Sequence, residues 1–273
     1  MRSVRKQKGF TLVELIIVIV LLGIIGGFTF NYLGFGVRIY SDAVGREQAT
    51  SQARFALQRM SVELKNSLPR SVQVLDNGRC IEFMPIQTSG QYLDIPLADA
   101  SGTDFVAIMP AGNVSNLPNA FLFVFANELE FIYGASPLRR KTIDSVSVNT
   151  PANGLMTVAF DTAETPSYFA AQSIGRRYYV SNGPTRWCFN TSNNSLERYA
   201  GYSLANAGAF PLLGVIPQVM AIDVVNPVAE PPFKVFEATL TRNNIVQIDL
   251  RLERGNTGEP LQLTREVFIP NVP

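Results

Sequence analysis

The feature that most constrains the fold is a long uncharged segment near the N-terminus. Residues 15–37 are 23 consecutive positions without a charged side chain, and Glu14 directly precedes them. As a helix, this segment is roughly 35 Å long, which is enough to cross a hydrocarbon core of about 30 Å. The stretch before it carries four basic residues, Arg2, Arg5, Lys6 and Lys8. Because basic flanks stay in the cytoplasm, we expect the N-terminus inside and the rest of the chain outside.

Two general explanations account for only part of this pattern. A cleaved secretory signal needs a short apolar core followed by a site of small residues, whereas this run is long and lacks such a site. A plain transmembrane anchor explains the length of the run and its basic flank. It gives no reason for Glu14, because a carboxylate in a membrane helix costs free energy and is normally paired.

The string KGFTLVE at residues 8–14 resembles the type IV prepilin motif. That motif consists of a basic residue, a glycine, a phenylalanine and, four positions later, a glutamate, ahead of a long apolar run. The resemblance implies that a prepilin peptidase cuts between Gly9 and Phe10 on the cytoplasmic side, and that Phe10 is then N-methylated.

The same resemblance gives Glu14 a role in assembly. Cleavage creates a positive charge on the Phe10 amine at the depth of the carboxylate. In a filament, Glu14 of one subunit can pair with Phe10 of its neighbour, so that two charges that are each costly in lipid neutralise one another. The alternative is a carboxylate without a partner that reaches the membrane surface.

The helix is predicted to continue beyond the apolar run, over residues 10–68 in total. Residues 38–68 are amphipathic, and Pro69 ends the pattern. One apolar stripe has 4-3-4-4 spacing: Ala53, Leu57, Met60, Leu64 and Leu68. As in pilins, we expect this stripe to pack against a sheet. A free coiled-coil seam is the alternative, which the shortness of the stripe disfavours.

After Pro69 the sequence changes to short β-rich runs separated by Gly, Pro, Asn and Ser. The predicted strands are residues 81–86, 105–109, 121–125, 129–133, 155–160, 177–180, 186–190, 196–199, 219–225, 235–241, 245–252 and 263–269. Residues 241–245 are predicted to form a hairpin turn and 226–232 a loop. The predicted fold class is therefore α+β and type IV pilin-like, with a long N-terminal helix, transmembrane and then amphipathic, packed on an antiparallel β-sheet head.

The composition excludes several classes of function. The chain has no histidine, which excludes His-dependent nucleophilic catalysis and His-ligated metal sites. No catalytic constellation or calcium-loop pattern is evident, so we expect neither an enzyme nor a bound metal or cofactor. The formal net charge is +1, and the basic clusters at 139–141 and 176–177 are predicted to be solvated strand ends, so nucleic acid is not an expected partner.

The two cysteines, Cys80 and Cys188, are too few for a zinc cluster or an iron–sulfur cage. A chain with a membrane-targeting start places them in an oxidising compartment, where one disulfide between them is predicted. The alternative is two separate buried thiols.

The resemblance to prepilins implies four segments: a cleaved leader (1–9), a transmembrane and assembly half of the helix (10–37), an amphipathic half (38–68) and a periplasmic β-rich head (69–273). Removing nine of the 273 residues leaves 264, which is large for a major pilin. Residues 248–273 resemble the ends of J-type minor pseudopilins and of MshO-like minor pilins of mannose-sensitive haemagglutinin (MSHA) pili.

These resemblances imply a minor pilin that crosses the inner membrane once and helps to initiate or build an MSHA-like type IV pilus. Its implied partners are a prepilin peptidase, other pilin subunits and an inner-membrane assembly platform. Two alternatives stay open. One is a J-type minor pseudopilin of a type II secretion system, and the other, of a different class, is a filament-borne adhesin or DNA-binding pilin.

Overall fold

The computed structural model describes residues 9–98, 104–110, 114–148, 154–209, 211–212, 214–236, 244–253 and 260–269. It is an α+β protein in which a long N-terminal apolar helix precedes antiparallel β-sheets, the type IV pilin-like arrangement that the sequence predicts. The strands are β1 (Gln73–Leu75), β2 (Cys80–Phe83), β3 (Thr88–Asp94), β4 (Phe105–Ile108), β5 (Phe121–Phe123), β6 (Arg140–Val148), β7 (Leu155–Phe160), β8 (Arg177–Ser181), β9 (Thr185–Asn190), β10 (Ser195–Ala200), β11 (Gln218–Ala221), β12 (Phe233–Phe236), β13 (Asn244–Leu252) and β14 (Leu261–Ile269).

Helix α1 spans Leu12–Lys65, 54 residues, and is therefore about 80 Å long. Its first half makes no buried contact, whereas its second half presents one buried face to the head. The stripe of five residues predicted to pack there, Ala53 to Leu68, is buried throughout. That prediction is confirmed, and the helix is two or three residues shorter at each end than the sequence pattern suggests.

The core beneath α1 is formed by two sheets. One has five strands in the order β1-β2-β9-β10-β11, and the other has three in the order β12-β13-β14. Both contribute to a single apolar cluster with the buried face of the helix. Its members include Met60 and Leu64 from α1, Trp187, Phe189 and Leu196 from the larger sheet, and Val246, Ile248 and Leu250 from the smaller one.

Within the described residues, a closed barrel of six antiparallel strands is inserted between β2 and β9, in the order β3-β4-β7-β6-β5-β8. Its interior has a separate core. Phe105 lies at the centre of that core, with its ring centre 5.5 Å from that of Tyr92 and 5.7 Å from that of Tyr178. The barrel is therefore a second packed unit carried by two neighbouring strands of the larger sheet.

The barrel joins the head at the C-terminal end of α1. The Leu68 amide donates to the Met84 carbonyl at 2.7 Å, and the Ile86 amide donates to the Asn66 carbonyl at 2.8 Å. A third apolar cluster, which includes Leu68, Met84 and Phe123, fills the junction. The barrel consequently lies at the end of the helix that is farthest from Phe10.

The sequence predictions about the head are wrong in three ways: one predicted strand is a helix, three strands are missed, and one predicted strand is too long. Residues 129–133 were predicted to be a strand but form the short helix α2 (Leu129–Tyr133). The sequence pattern misses β1, β3 and β6, whose residues are polar or weakly alternating. The predicted strand at 219–225 ends at Ala221. The predicted turn at 241–245 lies mostly outside the described residues, although the strands on either side of it pair as a hairpin.

The prediction that the basic cluster at 139–141 is a solvated strand end is also wrong. Arg140 and Lys141 are buried and not solvated. The Arg139 guanidinium lies over two rings, 4.8 Å from the centre of Phe125 and 4.7 Å from that of Phe131. Burial lowers the pKa of Lys141 below its ordinary value. The cluster therefore helps to build the barrel junction, whereas the pair at 176–177 is exposed, as predicted.

Candidate functional site

The N-terminal end of α1 places the predicted processing and assembly residues outside the folded head. Gly9 and Phe10 precede the helix, and Phe10 is 83% exposed. A side chain at Gly9 would meet no described atom within 4 Å, so the surroundings of Gly9 are open. The predicted leader residues Arg2, Arg5, Lys6 and Lys8 lie outside the described residues.

Thr11 starts the helix and connects it to Glu14. Thr11 has extended backbone angles (φ −85°, ψ 150°), and its Oγ1 accepts a hydrogen bond from the Glu14 amide at 3.3 Å. Thr at the N-cap with Glu three residues later is the spacing of a capping box. The positive end of the helix dipole also stabilises the Glu14 carboxylate, because Glu14 lies in the first turn. Glu14 thus stabilises the helix start in addition to any contact with a neighbour, a role that the sequence analysis missed although its spacing is visible there.

The first half of α1 is an exposed apolar rod. Its most apolar 18-residue window has a mean hydropathy of 2.7, and none of that window is buried. In the described part of the chain, α1 is the one helix whose length and composition fit a membrane crossing. A water-soluble protein cannot leave so much contiguous apolar surface in contact with water, so this half requires lipid or other helices around it.

Cys80 and Cys188 form the predicted disulfide, with an S–S distance of 2.05 Å. The two residues are directly opposite one another in the antiparallel pair β2–β9. Because β2 leads into the barrel and β9 leads out of it, the disulfide links the two strands from which the barrel is suspended. The sequence predicts the bond but not this position.

A buried ion pair lies next to the disulfide on the same strands. Glu82 of β2 and Arg186 of β9 are both fully buried, and an Arg186 Nη2 to Glu82 Oε1 distance of 2.5 Å joins them. The carboxylate also accepts hydrogen bonds from the Tyr202 hydroxyl at 2.7 Å and the Gly208 amide at 2.9 Å. Burial, together with the Glu82 charge, raises the pKa of Tyr202 well above its ordinary value. This network ties the segment after β10 to the outer face of the sheet.

Glu63 performs a similar task on the inner face. The Trp187 indole donates to Glu63 Oε2 at 2.9 Å, and Arg198 Nε donates to Oε1 at 2.9 Å. Since Glu63 belongs to α1 and its two partners to β9 and β10, these bonds fix the helix on the sheet. Sequence reasoning missed this contact, because the partners are more than 120 residues away from Glu63.

Among the residues that the structure describes, no three side chains from the Cys, Asp and Glu residues are grouped so that they could hold a metal ion. The features that the described residues do show are an exposed apolar helix half with one acid, a disulfide-linked head and an inserted barrel.

Comparison with protein families identifies the prokaryotic N-terminal methylation motif at residues 4–30. Searches of curated proteins and of solved structures give no match. The matched residues include the Gly9–Phe10 bond, Glu14 and the apolar rod as far as Phe30. The chain therefore carries a type IV prepilin-like methylation motif, typical of a prepilin-peptidase substrate and structural subunit, at the start of a type IV pilin-like fold.

Proposed function

We propose that the chain is a minor pilin that is processed, held in the inner membrane and then built into a type IV pilus. In this proposal residues 1–9 are the leader, which a prepilin peptidase removes between Gly9 and Phe10. Phe10 is then N-methylated. The exposure of Phe10 and the open surroundings of Gly9 support access of a peptidase to this bond.

The proposed topology has the N-terminus in the cytoplasm and a single crossing by residues 10–37. Residues 38–68 and the head, 69–273, are then periplasmic. The basic leader supports this direction of insertion, and the disulfide in the head supports an oxidising compartment on the far side. An assembly platform in the inner membrane and other pilin subunits are the proposed partners.

Glu14 is the proposed contact for assembly. In a filament its carboxylate pairs with the methylated Phe10 amine of the neighbouring subunit, which fixes the axial position of one helix relative to the next. Phe10 and Glu14 are exposed at the free end of α1, and among the residues that the structure describes none forms an ion pair with Glu14. The observation that carries the proposal is the single acid in the exposed membrane half of α1, where residues 15–37 carry no other charge.

The filament is proposed to be MSHA-like, with a J-type pseudopilin of a type II secretion system as the alternative. The inserted barrel supports a low-copy role, because it accounts for the large size of the head and extends beyond the part that packs on the helix. Deleting a subunit that initiates assembly should reduce the number of filaments more than their length. Short filaments at normal number would instead indicate a repeating structural subunit.

The deciding experiment compares Glu14→Ala with Asp42→Ala, a control that removes an exposed acid from the same helix outside the membrane half. Glu14→Ala should leave leader cleavage intact but prevent co-purification with other pilin subunits. The reason is that the neighbour's Phe10 ammonium loses its partner in an apolar bundle, at a cost of about 3–5 kcal/mol. Asp42→Ala should behave like the unmodified protein. Normal assembly of Glu14→Ala would refute the pairing.

Processing is tested separately by the intact mass of the protein extracted from membranes. The mass should correspond to loss of nine residues and gain of one methyl group. A mature N-terminus at any residue other than Phe10 would refute the proposed cleavage site.

A further inference from the structure

The side of α1 that faces away from the head carries an uncharged seam. The outward seam consists of Val44, Gln48, Ser51, Phe55, Gln58 and Val62, all exposed. At 3.6 residues per turn, Val62 lies about 180° around the helix from the buried Ala53. The head therefore covers the opposite face of α1 and cannot cover this one. Phe55 remains 57% exposed and Val62 48%.

The spacing of the outward seam is 4-3-4-3-4, which is the repeat by which two helices pack side by side. Charged residues lie on its flanks and not within it: Glu47 and Arg54 on one side and Arg59 on the other. Three residues of the seam are polar but uncharged, and the other three are apolar: Val44, Phe55 and Val62. A helix face that only met water would not need to exclude charge in this way over almost twenty residues.

The direction of the packing follows from the proposed function, on which this step rests. Subunits with the same leader enter the membrane in the same orientation, so any two such helices are parallel. In a parallel pair, the residue that precedes a seam residue such as Phe55 faces a flanking residue of the partner helix whose number is higher by five. Arg54 of one copy would thus face Arg59 of a second copy, on both sides of the pair.

Those two arginines argue against pairing with a second copy. Arg54 forms no ion pair within the described part of the chain, and the groove that it lines also contains Arg265. Arg59 bonds Glu63 at 3.1 Å, but that carboxylate is shared with Trp187 and Arg198. Like charges that face one another across a helix pair are destabilising and select against that pair.

We infer that the outward seam of α1 packs in parallel against the N-terminal helix of a different pilin subunit, one with apolar residues at the same spacing and acidic residues facing Arg54 and Arg59. The head half of the helix thus determines which subunit is the neighbour, while the membrane half is compatible with any of them. The seam is a specificity-determining surface, separate from Glu14.

A photo-crosslinking amino acid at position 55 of the full-length protein in its own membranes tests the contact. A second protein carries the same probe at Ile174, which is 97% exposed on the barrel and serves as the matched control. Position 55 should give far more adduct than position 174, because a contact with another helix holds the first probe against a neighbour while the second probe remains in solvent. The adduct should map to the N-terminal helix of another subunit that has its own Gly–Phe cleavage site. Adducts mainly with a second copy, or equal yields at the two positions, would overturn the inference.

The charge argument is tested by Arg54→Glu, with Arg177→Glu as an exposed control on the barrel. Arg54→Glu turns both like-charge contacts of a self-pair into opposite-charge contacts. Adducts from position 55 should shift from the other subunit to a second copy by about fivefold, the scale of two exposed ion pairs. Arg177→Glu should leave the ratio unchanged. An unchanged ratio in Arg54→Glu would show that charge does not select the partner, which overturns the inference as stated.

Leader removal separates this inference from the proposed function. If the leader is removed and the protein co-purifies with pilin subunits, yet position 55 gives no adduct with another helix, the inference alone is overturned. If the leader stays attached and no pilin subunit co-purifies, the proposed function is overturned and the parallel pairing falls with it.

Discussion

Glu82→Gln should strongly destabilise the head, because Glu82 is the buried counter-charge of Arg186. The substitution keeps the size of the side chain, removes its negative charge and replaces one acceptor oxygen by an NH2 donor. Glu82 and Arg186 are both fully buried, and Arg186 Nε also donates to Glu82 Oε1, at 3.0 Å. The guanidinium would therefore remain buried without a counter-charge.

The magnitude follows from two contributions. Removing one partner of a buried ion pair costs about 3–5 kcal/mol, because the other charge stays desolvated. In the native protein Glu82 Oε2 accepts from Gln73 Nε2 at 2.6 Å and from the Gly208 amide at 2.9 Å. If the amide nitrogen of the new glutamine takes the place of Oε2, the two donors face a third donor. The buried donor left without an acceptor then lowers the free energy of unfolding further, by about 1–3 kcal/mol. We expect the free energy of unfolding to fall by at least about 3 kcal/mol.

The assay is equilibrium unfolding in denaturant, followed by the fluorescence of Trp187, the one tryptophan of the chain. Trp187 is fully buried in β9 next to Arg186, so its emission reports on the sheet that carries the ion pair. The matched control is Glu230→Gln, which breaks the more exposed pair with Arg251 and should cost less than about 1 kcal/mol.

Equal destabilisation by Glu82→Gln and Glu230→Gln would refute the reasoning. It would mean that water or a rearranged side chain reaches Arg186 as soon as the carboxylate charge is removed. The polar network would then be a dispensable surface feature and not part of the folded core.

Three further predictions concern the head. Replacing both Cys80 and Cys188 by alanine should lower the free energy of unfolding by about 4–5 kcal/mol relative to the oxidised native protein, the loop-entropy value for a separation of 108 residues, measured by the same assay. Burial raises the pKa of Tyr178 to about 12 from its ordinary 10.0. The contribution of the protonated hydroxyl to stability is therefore fully present below pH 10 and is lost between pH 10 and 12. In Tyr178→Phe the free energy of unfolding should depend less on pH over that window. Phe105→Ala should cost about 3–5 kcal/mol and melt the barrel before the Trp187 signal changes, which separate circular dichroism and fluorescence transitions would reveal.

The helix could be predicted from the sequence because its signals are local. The uncharged run, the acid at Glu14 and the buried stripe from Ala53 to Leu68 are all read from residues within a few turns of one another. Each of these features reflects the period of the helix and the solvent around it. The N-cap at Thr11 was equally local and could have been found by the same reasoning.

The barrel could not be predicted in this way, since its closure depends on distant pairs. Strand β3 closes it by pairing with β8, and their partners, such as Gly90 and Tyr178, are far apart in sequence. No spacing within either strand indicates this pairing. Local pattern also misled at Leu129–Tyr133, where apolar and aromatic residues typical of a strand form a helix because they cover the barrel junction.

The buried charges show the same limit. Nothing local distinguishes Lys141, which is buried, from Arg177, which is exposed, because both belong to short basic clusters beside predicted strands. The difference arises from Pro166 and Phe169, which lie on the Lys141 side chain only once the barrel has formed.

The position of the disulfide has a mechanical consequence for the barrel. A force that pulls on the barrel is transmitted to the head through the adjacent ends of β2 and β9. In this geometry the two strands separate one residue pair at a time, starting from the end next to the barrel. Only three pairs, beginning with Phe83 and Thr185, lie between that end and the bond joining Cys80 to Cys188. Peeling therefore stops at a covalent link after three steps, and the tension passes into the rest of the sheet as a load shared by its strands. The barrel can be strained, or even unravelled, while the surface that holds α1 keeps its shape.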